Sequence, residues 1–315
     1  MNYTLPDRQT LPLIVEPDGE DPRALESIVP ENRQILLSRL RESGALLFRG
    51  FSPRPVPAFA RFAAAISATP LADYVGGASP RVSLGSGVYT STEYPKALSL
   101  SLHNELSYTY RYPEYLFFYC QTPADFGGET PIADSRSILK ALDPDLVRRF
   151  KDRKIRYDRR LENAPHSEYS WQAAFETGDR GVVEQFCAEG DVVHRWNDDG
   201  SLWLSEIRPA TAVHAVTGDE VWFNQAEGFH PSSLGEEVYR HVLASNNTRM
   251  LRLNAYFGDG GELDLSDLEQ IREVTRDKMV LVSWRAGDIL VLDNLLACHG
   301  RMPFSGPRKI LLAMA

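Results

Sequence analysis

The pattern of apolar and polar positions predicts a chain built mainly of strands, with helices near its start. Residues 30–41 and 57–66 repeat apolar side chains at helical spacing, so each is expected to form an amphipathic helix. Gly44 is expected to end the first helix, because glycine readily adopts the left-handed conformation found there. Apolar runs of strand length then predict strands around 45–48, 82–90, 98–104, 115–121, 249–256, 279–283, 288–293 and 308–314.

The segment from about 158 to 235 is the least regular part of the sequence, but it is rich in aromatic residues. Because large aromatic side chains need a surface to pack on, we interpret it as a helical or irregular insertion that covers the mouth of a barrel. The whole pattern favours a single domain over residues 1–315 that is mainly β with flanking helices (α+β). The fold expected is a double-stranded β-helix, or jelly roll.

Composition excludes several classes of function. The chain has 43% hydrophobic and 24% charged residues, as is usual for a soluble globular protein. Its net charge of -9 and the lack of a Lys/Arg block argue against nucleic acid or an anionic membrane as a partner. No signal peptide or membrane-spanning apolar run is evident in the sequence. The three cysteines do not resemble a disulfide framework, so we expect a cytoplasmic protein.

Two short stretches at opposite ends of the chain carry candidate chemistry. His103 and Glu105 form an H-x-E pair in a predicted strand, where residues two apart point to the same face. His299 follows another strand-like run, and Arg308 comes nine residues later. Two imidazoles and one carboxylate suit iron(II) with open coordination positions, and an arginine could hold an acidic co-substrate. An H-x-E pair alone is weak evidence, however, since ordinary strands also contain these residues.

Five segments, in order along the chain, resemble a known family: GALLFRGF at 44–51, LHNELSY at 102–108, GGETPIADSR at 127–136, HAVTGDEVWFNQ at 214–225 and AGDILVLDNLLACHGRMPFSGPR at 286–308. This is the TauD/TfdA family of Fe(II)/2-oxoglutarate-dependent dioxygenases. The chain resembles most the branch that contains the syringomycin biosynthesis protein, asparagine and arginine oxygenases and clavaminate synthase.

The resemblance implies roles for individual residues. His103, Glu105 and His299 would bind iron(II), and dioxygen would be the oxidant. Thr130 and Arg308 would bind 2-oxoglutarate. Arg308 suits this role because a guanidinium binds a carboxylate through two parallel hydrogen bonds. Arg308 could instead be a surface strand residue beside Lys309. Three further residues match substrate-pocket positions, with plain structural roles as the alternative: Ser99, Phe223 and Asn224.

Two departures from the better-known members narrow the expected reaction. The carboxylate is Glu105, where taurine dioxygenases mostly have Asp, and Glu is found in the branch that hydroxylates amino acids. Leu312 stands where taurine dioxygenases have a sulfonate-binding arginine, so taurine is not expected as the substrate. Related halogenases replace the carboxylate by Ala or Gly to admit chloride. Glu105 therefore favours hydroxylation over halogenation.

The substrate is the least determined part of the prediction. We expect oxidation of an unactivated C–H bond in an amino acid or an amino-acid-derived substrate, free or tethered to a carrier protein, in specialised metabolism. Alternatives are a catabolic dioxygenase of a small acid or amine, and desaturation or cyclisation by the same oxidant. A jelly-roll protein that binds a metal or ligand without redox chemistry is a further alternative. The oligomeric state stays open, a homo-oligomer included.

Overall fold

The computed structural model describes residues 1–6, 9–19, 25–51, 55–79, 81–91, 94–245 and 251–315. Its strands are β1 Asn2–Thr4, β2 Leu13–Glu16, β3 Ala45–Phe48, β4 Ser83–Gly85, β5 Val88–Thr90, β6 Leu100–His103, β7 Tyr115–Thr122, β8 Phe126–Gly127, β9 Thr130–Asp134, β10 Ile155–Leu161, β11 Val193–Trp196, β12 Leu202–Arg208, β13 Thr211–Val213, β14 Glu220–Trp222, β15 Leu253–Phe257, β16 Val280–Val282, β17 Ile289–Asp293, β18 Ala297–Arg301, β19 Phe304–Ser305 and β20 Lys309–Met314. Its helices are α1 Leu25–Ser43, α2 Val56–Ser67, α3 Ser135–Ala141, α4 Pro144–Arg153, α5 Trp171–Ala174, α6 Arg180–Glu189, α7 Ala226–Phe229, α8 Glu236–Ser245 and α9 Leu265–Asp277, with a 3₁₀ turn at Pro231–Leu234.

Two of the sheets form the centre of the fold. In the described residues, the larger sheet has the strand order β1-β2-β3-β17-β7-β20-β5-β4, and a smaller one has the order β16-β9-β18-β6. Side chains from both sheets share one buried apolar cluster, which includes Phe118 and Leu290 from the larger sheet and Ile132 and Ala297 from the smaller. The core of the domain therefore lies between these two sheets.

Strand β17 shows why several predicted strands are apolar at every position. Leu290 and Leu292 belong to the cluster between the sheets, whereas Ile289 and Val291 belong to a second cluster with α1 and α2. Because successive side chains point to opposite faces, a strand covered on both faces buries all of them. The helices thus pack against the outer face of the larger sheet, as the predicted architecture requires.

The predicted first helix is present, but its bounds differ from the prediction. α1 begins at Leu25 and contains Pro30 inside it, where proline was expected to start the helix. Gly44 follows the helix with a φ of +76°, as predicted. The second predicted helix, 57–66, is confirmed as α2. The predicted strand at 82–90 is instead a pair of short antiparallel strands, because Gly85 and Gly87 allow a turn between β4 and β5.

The segment predicted as an insertion contributes most of a further sheet, with the strand order β11-β12-β10-β15. β10 begins before residue 158, and β15 lies beyond residue 235, so this sheet extends past the predicted bounds on both sides. The aromatic residues of the segment do pack inward: Trp171, Phe175 and Phe186 share a buried cluster with side chains of this sheet. The division into a single domain with an insertion remains a prediction.

None of the helices in the described ranges is long and apolar enough to cross a membrane.

Candidate metal centre

The structure brings the three predicted ligands together. His103 ends β6, His299 lies in β18, and these two residues are direct partners in the antiparallel pairing. Their ring centroids are 4.5 Å apart, and Nε2 of His299 lies 3.8 Å from Oε2 of Glu105. One ligand atom from each of the three residues lies within 4.8 Å of the others. A single ion could contact all three.

Glu105 is placed differently from the sequence expectation. β6 ends at His103, so Glu105 is not on the same strand face but in the turn that follows. Leu106 continues this turn with a φ of +56°. The side chain of Asn294 holds the turn in place, because its Oδ1 accepts from the backbone N–H of Glu105 at 2.8 Å. Tertiary contacts, rather than strand periodicity, therefore aim the carboxylate at the histidines.

The surroundings of both imidazoles suit metal binding. Nδ1 of His103 lies 2.8 Å from the carbonyl oxygen of Ser101, so a proton on Nδ1 leaves the lone pair of Nε2 free. Burial, followed by the nearby His103 and the charge of Arg81, lowers the pKa of His299 well below its ordinary value. His299 is consequently neutral at physiological pH. Two imidazoles and one carboxylate fit a divalent iron site that leaves positions open for other ligands.

Phe118 and Thr130 border the histidines. The ring of Phe118, on the inner face of the larger sheet, lies 5.0 Å from the ring of His299. Ile132 pairs with His299 across β9 and β18, and Thr130 lies two residues before it, on the same face of β9. The hydroxyl of Thr130 is buried and accepts a hydrogen bond from Nε1 of Trp284 at 3.0 Å. Thr130 could therefore contact a ligand that also reaches the metal.

Arg308 is held close to the glycine pair that precedes Thr130. Its Nε donates to the carbonyl oxygen of Gly128 at 3.1 Å, and its guanidinium carbon lies 5.4 Å from the ring centroid of Phe304. Burial, followed by the charge of Arg301, lowers the pKa of Arg308 to about 10. The side chain is still a cation at neutral pH, and it is not the freely solvated strand residue considered as the alternative.

Gly128 is required where Arg308 approaches the backbone. Its φ of +74° is a conformation that other residues rarely adopt. A Cβ atom at this position would lie 3.0 Å from Cβ of Ala124 and 3.1 Å from Cδ of Arg308. The glycine pair of the sequence motif thus does more than allow a turn, because it makes room for the arginine.

The three residues matched to substrate positions are not grouped around the histidines by any contact described. Ser99 is exposed and lies just before β6. Phe223 is buried in a small apolar cluster with Leu295 and Leu296. The side chain of Asn224 donates to the carbonyl oxygen of Ala210 at 2.9 Å, and its Oδ1 accepts from the backbone N–H of Ala226. Their proposed contacts with substrate remain predictions.

His214, in the matched segment before these residues, is a buried structural residue. Its Nε2 lies 3.0 Å from Oδ2 of Asp293, and the hydrogen bond to this carboxylate raises the pKa of His214 despite burial. Oδ1 of Asp293 accepts from the backbone N–H groups of Leu295 and Leu296. The His214–Asp293 pair thus joins the segment 214–225 to the loop that leads into β18 and His299.

Sequence reasoning missed two residues of the site. Asn294 was inside a matched segment, but nothing in its local sequence indicated that it holds Glu105. Arg81 was outside every motif, and it forms a buried ion pair with Glu105 at 2.6 Å. A solitary arginine in an irregular stretch gives no local signal of such a contact.

Comparisons with known proteins identify the family of the chain. The family model described as Taurine catabolism dioxygenase TauD, TfdA family matches residues 7–314. The Dapdiamide synthesis protein DdaC of Enterobacter agglomerans is 36% identical over 275 residues, which cover 87% of this chain and 83% of that protein. A clavaminate synthase-like protein of Arabidopsis thaliana is 31% identical over 294 residues, 91% of this chain and 86% of that protein.

Solved structures support the predicted fold. PvcB of Pseudomonas aeruginosa has a TM-score of 0.56 and 16% identity over 100% of this chain and 94% of its own. The predicted jelly roll is confirmed by this likeness and by the family match. Family membership also removes the alternative of a binding protein without redox chemistry. The chain belongs to the TauD/TfdA family and is an oxygenase that depends on iron(II), 2-oxoglutarate and dioxygen.

Proposed function

We propose that this oxygenase hydroxylates an unactivated C–H bond of an amino acid or an amino-acid-derived substrate, in a biosynthetic pathway. The observation that carries the proposal is the convergence of His103, Glu105 and His299, whose ligand atoms lie within 4.8 Å of one another. Glu105 occupies the position that halogenases of the family leave empty. This favours hydroxylation over halogenation, and the name of the 36%-identical relative, a synthesis protein, supports biosynthesis over catabolism.

Different residues would hold the metal and the co-substrate. His103, Glu105 and His299 would hold iron(II) from one side, and Thr130 and Arg308 would bind the far carboxylate of 2-oxoglutarate. When bound, the iron with 2-oxoglutarate and dioxygen supplies an oxidant that attacks an unactivated C–H bond, with succinate and carbon dioxide as co-products. The protein selects the reaction by placing one C–H bond over the metal, because small displacements of a reacting atom cost much of the rate.

The apolar surroundings help to confine the reaction. Phe118 and Leu312 lie on the inner face of the larger sheet, and both are buried. Leu312 offers no charge to a sulfonate, which is consistent with a substrate other than taurine. Such walls exclude water, which would otherwise compete for the open metal positions.

An anaerobic titration tests the site. Iron(II) and then 2-oxoglutarate are added to metal-free protein, and the weak visible charge-transfer band of the 2-oxoglutarate chelate is recorded. We expect the band in the wild type, its loss in His103→Ala and its weakening in Arg308→Ala. An exposed arginine such as Arg148, whose side chain is 69% exposed, provides the matched control Arg148→Ala.

The substrate is then sought by release of succinate in the presence of individual amino acids and their carrier-bound forms. Mass spectrometry separates hydroxylation, a gain of one oxygen atom, from desaturation or cyclisation, a loss of two hydrogen atoms. If the charge-transfer band forms but no amino acid stimulates succinate release, the proposed substrate class is overturned. The assignment of 2-oxoglutarate as the co-substrate then still stands. Absence of the band despite bound iron would overturn the proposed ligand set.

A further inference from the structure

Arg81 places a buried positive charge beside the candidate metal ligands. Its side chain is 3% exposed, and its Nη2 lies 2.6 Å from Oε2 of Glu105. The guanidinium carbon lies 4.3 Å from the ring centroid of Tyr74, which covers one face of the cation. Nε of Arg81 is buried and has no hydrogen-bond partner in the described structure. Part of the donor capacity of this arginine is therefore unused.

One oxygen of Glu105 lies between Arg81 and the side where a metal would bind. Oε2 is the atom that Arg81 contacts, and it also lies 3.8 Å from Nε2 of His299, on the side where a metal would bind. A divalent ion bound there would share the negative charge of Glu105 that neutralises Arg81. Within the described part of the chain, Glu105 is the carboxylate in contact with Arg81. Metal binding would thus weaken the ion pair between Glu105 and Arg81, whose side chain is shielded from water.

The co-substrate does not supply the missing negative charge. In the proposed arrangement, one carboxylate of 2-oxoglutarate chelates the metal and the other pairs with Arg308. Counting +2 for the metal, -1 for Glu105 and -1 for the chelating carboxylate leaves the centre neutral, with Arg81 as an additional positive charge. A buried charge without a partner is strongly destabilising, so this state calls for another anion near Arg81.

The segment that precedes Arg81 contacts strand β10. Nη1 of Arg159, on β10, donates to the carbonyl oxygen of Gly76 at 2.6 Å. A Cβ at Gly77 would lie 2.0 Å from the ring of Tyr74, so this glycine lets the ring lie against the backbone. Glu105 and Tyr74 hold the guanidinium of Arg81 in position before any ligand arrives, which lowers the entropy lost on binding.

We infer that Arg81 binds a carboxylate of the primary substrate next to the metal, so that the enzyme acts on a free acid and not on a carrier-bound thioester or an amide. A guanidinium recognises a carboxylate through paired hydrogen bonds, and Nε of Arg81 is a donor without a partner among the described residues. This inference rests on the proposed function, and it decides between the free and tethered substrates.

Acetate and acetamide are the probes, because they are alike in shape and differ in charge. The dissociation constant of Mn(II) is measured by electron paramagnetic resonance of the free ion, with saturating 2-oxoglutarate and equal concentrations of either probe. We expect acetate to tighten Mn(II) binding in the wild type by about 10-fold or more, and acetamide to have no effect. Arg81→Met should abolish the acetate effect. The control Arg111→Met, at an exposed arginine that pairs with Glu189, should retain it.

Several outcomes would overturn the inference. Equal effects of acetate and acetamide in the wild type would do so without any variant. An acetate effect that persists in Arg81→Met would place the anion elsewhere. Should Arg81→Met fail to fold, Arg81→Lys keeps the charge but loses the planar fork, and we expect part of the acetate effect to remain.

A second arm uses the amino acid found by succinate release and its primary amide. The wild type should discriminate against the amide by about 10- to 100-fold in kcat/KM, and Arg81→Met should lose this discrimination. An amide or thioester that reacts as well as the acid would refute the inference. The charge-transfer band separates the two failures: a normal band with no carboxylate preference refutes Arg81 alone, whereas a missing band refutes the proposed ligand set.

Discussion

Asn294 holds Glu105 by both of its backbone polar groups. Its Oδ1 accepts from the N–H of Glu105 at 2.8 Å, and its Nδ2 donates to the carbonyl of Glu105 at 3.0 Å. Nδ2 also donates to the carbonyl of Pro113 at 2.9 Å. The position of the carboxylate thus depends on a residue that is not itself a candidate metal ligand.

We therefore expect Asn294→Asp to weaken binding of Fe(II) or Mn(II) by about 10- to 100-fold. The substitution keeps the acceptor and the size of the side chain, but it replaces the donor by an oxygen. Metal titration checks this result. Asn197→Asp, which removes a similar donor to Ser201 far from the ligands, should leave metal affinity unchanged. Unchanged affinity in Asn294→Asp would mean that the turn is held by other contacts.

Gly128→Ala should reduce the affinity for 2-oxoglutarate. The added Cβ would crowd Ala124 and Arg308, and displacement of Arg308 would misplace its guanidinium. Gly218 has a nearly identical φ of +75° with nothing within 4 Å of a built Cβ, so Gly218→Ala isolates the backbone strain. We expect both variants to lose about 1 kcal/mol of stability from that strain, and only Gly128→Ala to need several-fold more 2-oxoglutarate in the anaerobic titration.

Arg159 and Glu206 form an ion pair inside the protein, with side chains 1% and 0% exposed and an Nη2 to Oε1 distance of 2.8 Å. Arg159→Met should lower the free energy of unfolding by about 3 kcal/mol, the lower end of the range for a broken buried ion pair, because Arg208 remains as a partner of the buried Glu206. Urea denaturation measures the loss. The neighbouring Arg160 pairs with Asp199 at the surface, so Arg160→Met should change stability little. Equal losses would show that the ion pair is not the cause.

His230 should make stability fall in mild acid. Burial, followed by the charge of Arg272, lowers its folded-state pKa to about 4, whereas the unfolded value is about 6.5. Between these values the unfolded chain binds a proton that the folded protein does not. The contribution of His230 is therefore fully present above pH 6.5 and declines by about 1.4 kcal/mol per unit as the pH falls toward 4.

Urea denaturation across this pH range tests the assignment with His230→Asn, whose amide oxygen can replace Nδ1 as the acceptor for the backbone N–H of Ser232. The variant should be less sensitive to acid than the wild type. His241→Asn, at an exposed position of α8, should follow the wild type. Parallel curves for His230→Asn and the wild type would assign the acid sensitivity to other groups.

Much of the fold could be predicted because its signals are local. Asp134 accepts from the N–H groups of Arg136 and Ser137 at the start of α3, and a cap of this kind needs only neighbouring residues. The fully apolar run of β17 likewise reflects its own burial on both faces. The start of α1 was misplaced because Pro30 is tolerated inside that helix, so a rule about proline position failed there.

The sequence by itself determined the family, the approximate positions of many strands and the residue types of the candidate ligands. These properties depend on hydrophobic periodicity and on motifs whose residues are close together. Tertiary structure alone decided which side chains aim and neutralise those ligands. Asn294 reaches Glu105 across 189 residues, and Arg81 reaches it across 24 residues that include a turn between two short strands. The physical reason is that a hydrogen bond or ion pair depends on distance in space, which the spacing along the chain does not encode once the chain turns back on itself.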